Sequence, residues 1–326
     1  MTIWAITAYY NPGRFRRRYA AYQTFRKALK LPLLTVEWSP ESRFDLDDEH
    51  ADVLVRVSGG TLMWQKERLL NIAVSQLPAD CDLVAWLDCD VVFADEHWME
   101  ELSADLRRHA VTQLFSRVVH LPATPASDAG AASPPLASAL LTRTALAGST
   151  HALRAPVASG EAGEDDALPE AQREARELAR LAERPSSGHA WAARRELIAD
   201  HGLYDACVCG AGDMALALAA LGRPEAFLAE YPLNDGQRAH YEAWAERFGA
   251  AVGGAVGCLS GTLFHLFHGR MVDRQYRTRL ARLADSGFDP ARHLRRSAQG
   301  AWEWAAPDDA LARFLADYFR DRREVA

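Results

Sequence analysis

From residue 3 to residue 87 the chain alternates short β-favouring runs with helical patterns, and that alternation is the strongest constraint on its fold. Residues 3–8 form a β-favouring run that ends in the turn signal Tyr9-Tyr10-Asn11-Pro12-Gly13. Large residues then recur near helical spacing at Phe15, Tyr19, Tyr22, Phe25 and Leu29. Residues 33–38 and 53–57 read as strands, and 63–77 as a helix with Leu69, Leu70, Ile72, Ala73 and Leu77 on its apolar side. Residues 83–87 read as a strand that runs straight into Asp88. This order predicts a mainly parallel sheet with helices on its faces. Such sheets bind ligands at the carboxyl ends of their strands, which points to residues 9–11 and 88–90.

Composition narrows the function only by exclusion. A hydrophobic share of 49% and a charged share of 25% suit a folded globular chain of 326 residues. The net charge of -7 argues against a protein that coats nucleic acid. Lysine occurs at Lys27, Lys30 and Lys66 alone, so Lys66 stands out in its helix. The five cysteines are odd in number and scattered, which suits a reduced compartment. Cys207 and Cys209 lack a second Cys or His pair at zinc-site spacing. No basic, apolar leader opens the chain, and the apolar stretch 215–221 is far too short to span a bilayer. The expected location is cytoplasmic, with no transmembrane segment and with room for peripheral membrane contact.

Three constellations could carry chemistry. Asp88 and Asp90, at i and i+2 after an apolar strand, would set two carboxylates on one side, where a hard divalent cation relieves their repulsion. An ordinary acidic turn is the competing reading. Asp213 follows Gly210-Ala211-Gly212 and precedes a helical run at 214–221, so it suits either a helix N-cap or a general base. His265 and His268 end an apolar run at 262–267, just before a glycine, and could reach one ion or pack in the core. Asn11, Arg14 and Lys66 are candidate anion-side partners, Lys66 being equally at home as a solvent-facing helix residue.

Organisation changes after residue 120. Residues 121–187 hold Pro122, Pro125, Pro134 and Pro135, the acidic cluster Glu164-Asp165-Asp166 and a charged stretch, and read as a low-complexity, flexible insertion. Its end, 169–184, reads as a solvated helix. Residues 190–199 read as a strand or short helix, and 273–326 as a helical tail with Trp302 and Trp304 close together.

Taken in order, the first strand and its loop, Trp86-Leu87-Asp88-Cys89-Asp90, Gly210-Ala211-Gly212-Asp213 and a late histidine resemble a glycosyltransferase of the GT-A fold. The segment from Gly188-His189-Ala190-Trp191 to Asp213 is similar to the catalytic segment of β-1,4-galactosyltransferases, as a bacterial cytoplasmic relative would be. It departs from them in following Asp213 with Met214-Ala215 where they carry further acids. The resemblance implies an α/β fold: a GT-A type doubly wound, mixed, mainly parallel sheet flanked by helices in a single large domain. It implies a nucleotide-sugar-binding half at 1–120 and an acceptor and catalytic half at 188–272. It implies inverting, metal-dependent transfer of a sugar from a nucleotide-sugar donor, UDP by analogy, to a glycan or other hydroxyl acceptor, with Mn²⁺ or Mg²⁺. Asp213 would be catalytic. Thr7, Tyr9, Asn11, Arg14, Lys66, Asp88 and Asp90 would serve the donor, and Trp191, Gly210 and Gly212 the acceptor. Asp90, His265 and His268 would hold the metal. A nucleotidyltransferase and a catalytically inactive nucleotide-sugar-binding module remain as alternatives.

Overall fold

The computed structural model describes residues 1–123, 141–149, 168–276 and 278–324. The N-terminal alternation forms as β1 (Thr2–Tyr10), α1 (Arg16–Ala28), β2 (Leu33–Ser39), β3 (Val53–Ser58), α2 (Lys66–Gln76) and β4 (Cys81–Leu87). There follow β5 (Val91–Phe93), α3 (His97–Asp105), β6 (Val111–Gln113), β7 (Arg117–His120), β8 (Leu141–Thr144) and α4 (Glu170–Ala182). The second half comprises β9 (Ala190–Arg194), α5 (Arg195–His201), α6 (Gly212–Ala220), α7 (Pro224–Glu230), α8 (Asp235–Val252), β10 (Val256–Cys258) and β11 (Thr262–His265). The last elements are α9 (Arg279–Asp285), α10 (Pro290–His293), β12 (Leu294–Arg296), β13 (Trp302–Trp304) and α11 (Asp309–Asp321).

A seven-stranded sheet runs in the order β10-β6-β9-β4-β1-β2-β3. It is mixed: β9 lies antiparallel between β4 and β6, while β1 pairs parallel with both β2 and β4. The expectation of an α/β fold with a mixed, mainly parallel sheet between helices holds. β2 is buried throughout and β1 over its last six residues, which marks strands covered on both faces. Alternate residues divide between two cores. Ile6, Ala8 and Tyr10 join the core that also holds Leu69, Leu216 and Phe248, whereas Ala5 and Tyr9 join that of Tyr22, Phe25 and Leu102.

A second sheet runs β5-β11-β7-β8. Residues 111–119 divide between the sheets: β6 lies in the large sheet and β7 in the small one, with Leu114 and Phe115 buried at the corner. Residues 190–199 contain both alternatives, β9 and then α5.

Within 121–187, residues 124–140 and 150–167, including Pro125, Pro134, Pro135 and Glu164–Asp166, lie outside the described residues. α4 is not simply a solvated helix. Leu181 is buried, Glu170 pairs with Arg270, and Glu174 accepts from the Met271 and Val272 N–H groups at 3.3 and 3.1 Å. Its acids bind the loop after β11, which docks the helix as a wall. The tail is not all helical either, since β12 and β13 pair antiparallel around Gly300, at φ +88°. The apolar residues of α8 are diluted by alanine and charge, so its sequence shows no clear apolar stripe, although Asn234 and Gln237 form a capping box at its start. Among the described residues no helix is long and apolar enough to cross a membrane.

Candidate active site

Asp88 and Asp90 stand where the chain passes from one sheet to the other. β4 ends at Leu87, the Asp88 N–H donates to the His189 carbonyl at 2.7 Å, and β5 begins at Val91. β5 pairs antiparallel with β11, setting Val91 opposite His265, and the Leu266 N–H donates to the Asp90 carbonyl at 2.8 Å. Strand pairing thus carries the late histidines to the early acid.

Asp90 Oδ2 lies 2.9 Å from His268 Nε2, and Oδ1 lies 3.6 Å from His265 Nε2. One ligand atom from each of the three buried residues falls within 4.8 Å of the others. Behind His265, its Nδ1 meets Nδ1 of His120 at 3.1 Å, His120 being its register partner on β7. One ring donates to the other, which leaves His265 Nε2 facing Asp90. Burial, reinforced by neighbouring imidazoles, holds His265 well below the ordinary histidine range. Burial and the nearby Arg274 take His268 down to about 4. Both rings are therefore neutral at pH 7, the form that ligates metal. Burial opposes the charge of Asp90, but His268, Arg18 and Arg274 outweigh it and hold the carboxyl below the usual range. Among the described residues Asp90 Oδ1 has no hydrogen-bond partner, a costly state for a buried oxygen and one that a cation would relieve. These donors fit a divalent ion.

The second cluster centres on Lys66, in the first turn of α2. Its Nζ is 3.0 Å from Asp88 Oδ1, 2.8 and 2.7 Å from the two Asp213 oxygens, and 3.6 Å from Glu67 Oε1. Burial works against its charge, yet Asp213, Asp88 and Glu67 hold its pKa well above the ordinary lysine value. Lys66 is thus no solvent-facing helix residue. Burial would raise Asp88, but Lys66 and the His189 imidazole, 3.5 Å away, hold it below the carboxylate range. For Asp213 burial prevails over Lys66 and its pKa is raised, and burial takes Glu67 to about 7.

Asp213 is not the N-cap of α6. Ala211, at φ +85°, holds that position without a side-chain bond, and the Asp213 carboxylate turns to Lys66. Gly212 is required by Glu67, since a Cβ there would stand 2.5 Å from Glu67 Cδ.

Asp90, His265 and His268 line one cavity of about 830 Å³ with Lys66, Asp88 and Asp213, together with Ala8, Tyr10, Gly210, Tyr231 and Tyr276. That volume lies within the range of small-molecule sites, roughly 300–1,000 Å³. Arginines crowd its walls. Arg18 and Arg322 share the buried Glu324, whose carboxylate is also 4.0 Å from His268 Nδ1, and Arg274 donates to His268 Nε2 at 2.7 Å.

The structure does not bring every candidate here. Tyr9 and Asn11 bond Asp45 at 3.1 Å each, Arg14 pairs with it at 2.9 Å, and Thr7 donates to the Leu87 carbonyl at 2.7 Å. The reason is the pleat of β1, which turns Ala8 and Tyr10 to the cavity and Thr7 and Tyr9 away. Trp191 is buried in the sheet, its indole N–H donating to Ser187, and Gly212 does not line the cavity. Sequence reasoning missed His120, His189, Glu67, Arg274 and Glu324. His120 is joined to the site by strand register and Glu324 by docking of the tail, while Glu67 and Arg274 lie close in sequence to Lys66 and His268.

No protein-family model and no curated protein matches the chain. Among solved structures it is similar to residues 1–349 of TarS from S. aureus in complex with UDP-GlcNAc, at 10% identity and TM-score 0.40, over 100% of this chain and 74% of that one. It is also similar to glucosyl-3-phosphoglycerate synthase from Mycobacterium tuberculosis, at 12% identity and TM-score 0.38, over 94% of this chain and 88% of that one. At these values the likeness concerns the α/β framework and says nothing of the site.

Proposed function

We propose that the chain is a metal-dependent, inverting glycosyltransferase that moves a sugar from a nucleoside-diphosphate donor to a hydroxyl acceptor. The observation that carries this reading is the meeting, on one cavity, of Asp90 and two neutral imidazoles with Asp88 and Asp213 on a shared ammonium. Asp90, His265 and His268 would hold Mn²⁺ or Mg²⁺. A divalent ion bound there supplies positive charge for the donor's diphosphate. Lys66 and Arg274 add fixed positive charge on the same side, and Asp88 offers its carboxylate to hydroxyls of the donor.

Asp213 lies on the cavity wall as the candidate base. The acceptor oxygen bonds to the anomeric carbon as the bond to the diphosphate oxygen breaks. The hydroxyl proton passes to Asp213 and the nucleoside diphosphate leaves. A single displacement of this kind inverts the anomeric centre. UDP is the first nucleotide to test, following the sequence resemblance to β-1,4-galactosyltransferases. The salt bridge from Lys66 to Asp213 favours a second reading, a nucleotide-sugar-binding module whose base stays clamped. The nucleotidyltransferase alternative wants a cationic phosphate loop after β1, where this chain turns Asn11 and Arg14 onto Asp45.

A thermal-shift screen of nucleoside diphosphates and nucleotide sugars, with and without Mn²⁺, tests the donor site. A ligand at about a hundred times its Kd adds about 2.7 kcal/mol, or about 4 °C for a chain of this length. Stabilisation by no nucleotide, with or without metal, sinks the proposal. Asp213→Asn should slow transfer about 10²–10⁴-fold while nucleotide binding persists. Tight binding without turnover of any donor selects the binding module.

A further inference from the structure

Most of the cavity's arginines are already matched with acids. Arg18 and Arg322 share Glu324, Arg184 pairs with Glu230, and Arg180 lies 3.8 Å from Glu177. Arg143, Arg274 and Arg279 differ, for none of them meets a carboxylate among the described residues. Arg143 donates to the Arg184 and Pro185 carbonyls at 2.9 and 2.8 Å. Arg279, only 6% exposed, donates to the Tyr318 hydroxyl at 3.1 Å and the Arg274 carbonyl at 3.4 Å, and its Nε is buried without a partner. A buried guanidinium lacking a counter-charge is costly, and its planar fork matches the oxygens of a phosphate or carboxylate.

Arg279 adjoins both Arg274 and the loop that carries the candidate base. Arg274 stands against His268, beside the candidate metal ligands. Arg279 packs under Gly210, where a Cβ would meet its NH2 at 3.1 Å, and that loop leads directly to Asp213. Gly210, at φ +96°, thus leaves room for the guanidinium and lets the chain pass over it. Arg143 faces the cavity from β8, alongside α4. Tyr231 and Tyr276 line the same cavity as Arg143 and Arg279. The Tyr276 ring carries the Arg279 guanidinium at 4.7 Å. Burial favours its neutral phenol, but Arg274 and Arg279 overcome this and lower its pKa, a sign of the positive field there.

Resting on the donor reading above, we infer that the acceptor is itself an anion: its phosphate or carboxylate docks on Arg143 and Arg279 while its hydroxyl faces Asp213. The site then has two anion positions, one for the donor's diphosphate and one for the acceptor. The second neutralises guanidinium charge that meets no carboxylate among the described residues.

The test is calorimetric titration of inorganic phosphate, and separately of acetate, into protein saturated with UDP and Mg²⁺. At least one of the two anions should bind the UDP-loaded protein. Arg279→Gln and Arg143→Gln should each weaken that binding about ten-fold or more, with UDP affinity changed less than about two-fold. Arg143→Lys, which keeps the charge and loses the fork, should fall between. Retained UDP binding doubles as the folding control, and should Arg279→Gln not fold, Arg143→Gln decides. If neither anion binds the UDP-loaded protein, or if the variants lose UDP and anion affinity together, the acceptor inference is overturned. Failure of UDP to bind the unaltered protein refutes instead the donor reading on which it rests.

Discussion

Replacing Lys66 by methionine removes the ammonium lodged between Asp88, Asp213 and Glu67 and keeps the length of the side chain. Removing one partner from a buried ionic network costs about 3–5 kcal/mol. The Lys66, Asp88 and Asp213 side chains retain 14, 23 and 29% exposure, so solvent screens part of this and about 3 kcal/mol is expected. At about 2.1 cal/mol/K per residue, that lowers Tm by about 4–5 °C in a chain of 326 residues. Its pH dependence is diagnostic. With Lys66 present, Asp88 is held below its unfolded value, a contribution complete above about pH 4 and lost only as pH falls further. Without Lys66, the folded pKa values of Asp213 and Glu67, already raised by burial, rise further, and Asp88 loses the largest of the influences that hold it down. Their penalty then grows as pH rises from about 4 through those new values. Circular-dichroism melts from pH 5 to pH 8 should show a small deficit at pH 5 and the full one at pH 8. Adding Asp213→Asn should recover part of it, because one orphaned carboxylate is gone. A deficit under about 1 °C at pH 8, or one that widens toward pH 5, would refute the reasoning.

Gly212→Ala drives a methyl group into Glu67 and should cost about 1–3 kcal/mol in urea unfolding, with no dependence on added nucleotide. Glu324→Gln strips the counter-charge from the buried Arg18 and Arg322, a loss of about 3–5 kcal/mol at pH 7 by the same melts. Arg18 and Arg322 outweigh burial and hold Glu324 well below the ordinary value, so the unaltered protein loses this contribution as pH falls below about 4.5. The variant should lack that acid-side loss. His268→Ala should abolish any rise in Tm on adding Mn²⁺ without nucleotide, and an unchanged rise would remove His268 from the ligand set.

By itself the sequence determined the first four strands of the large sheet, the two helices between them and the arrival of Asp88 at a strand end. Those features are local, since alternation and helical spacing are read within one element. His265 and His268 were legible for the same reason, as a spaced pair at the end of an apolar run. Only the tertiary structure decided which face of β1 meets the cavity, because a strand's pleat fixes alternation and not which side is the site. That parity took Thr7 and Tyr9 away and brought Ala8 and Tyr10 in. It also took the passage from β4 to β5 between two sheets to set Asp90 against β11, and the register of β7 to place His120 behind His265. The two aspartates, assigned from the sequence to the donor (Asp88) and to the metal (Asp90), stand in different clusters in space. Asp88 faces Lys66 and Asp213 whereas Asp90 faces the histidines, since the turn after β4 breaks the i, i+2 alternation that only an extended strand preserves.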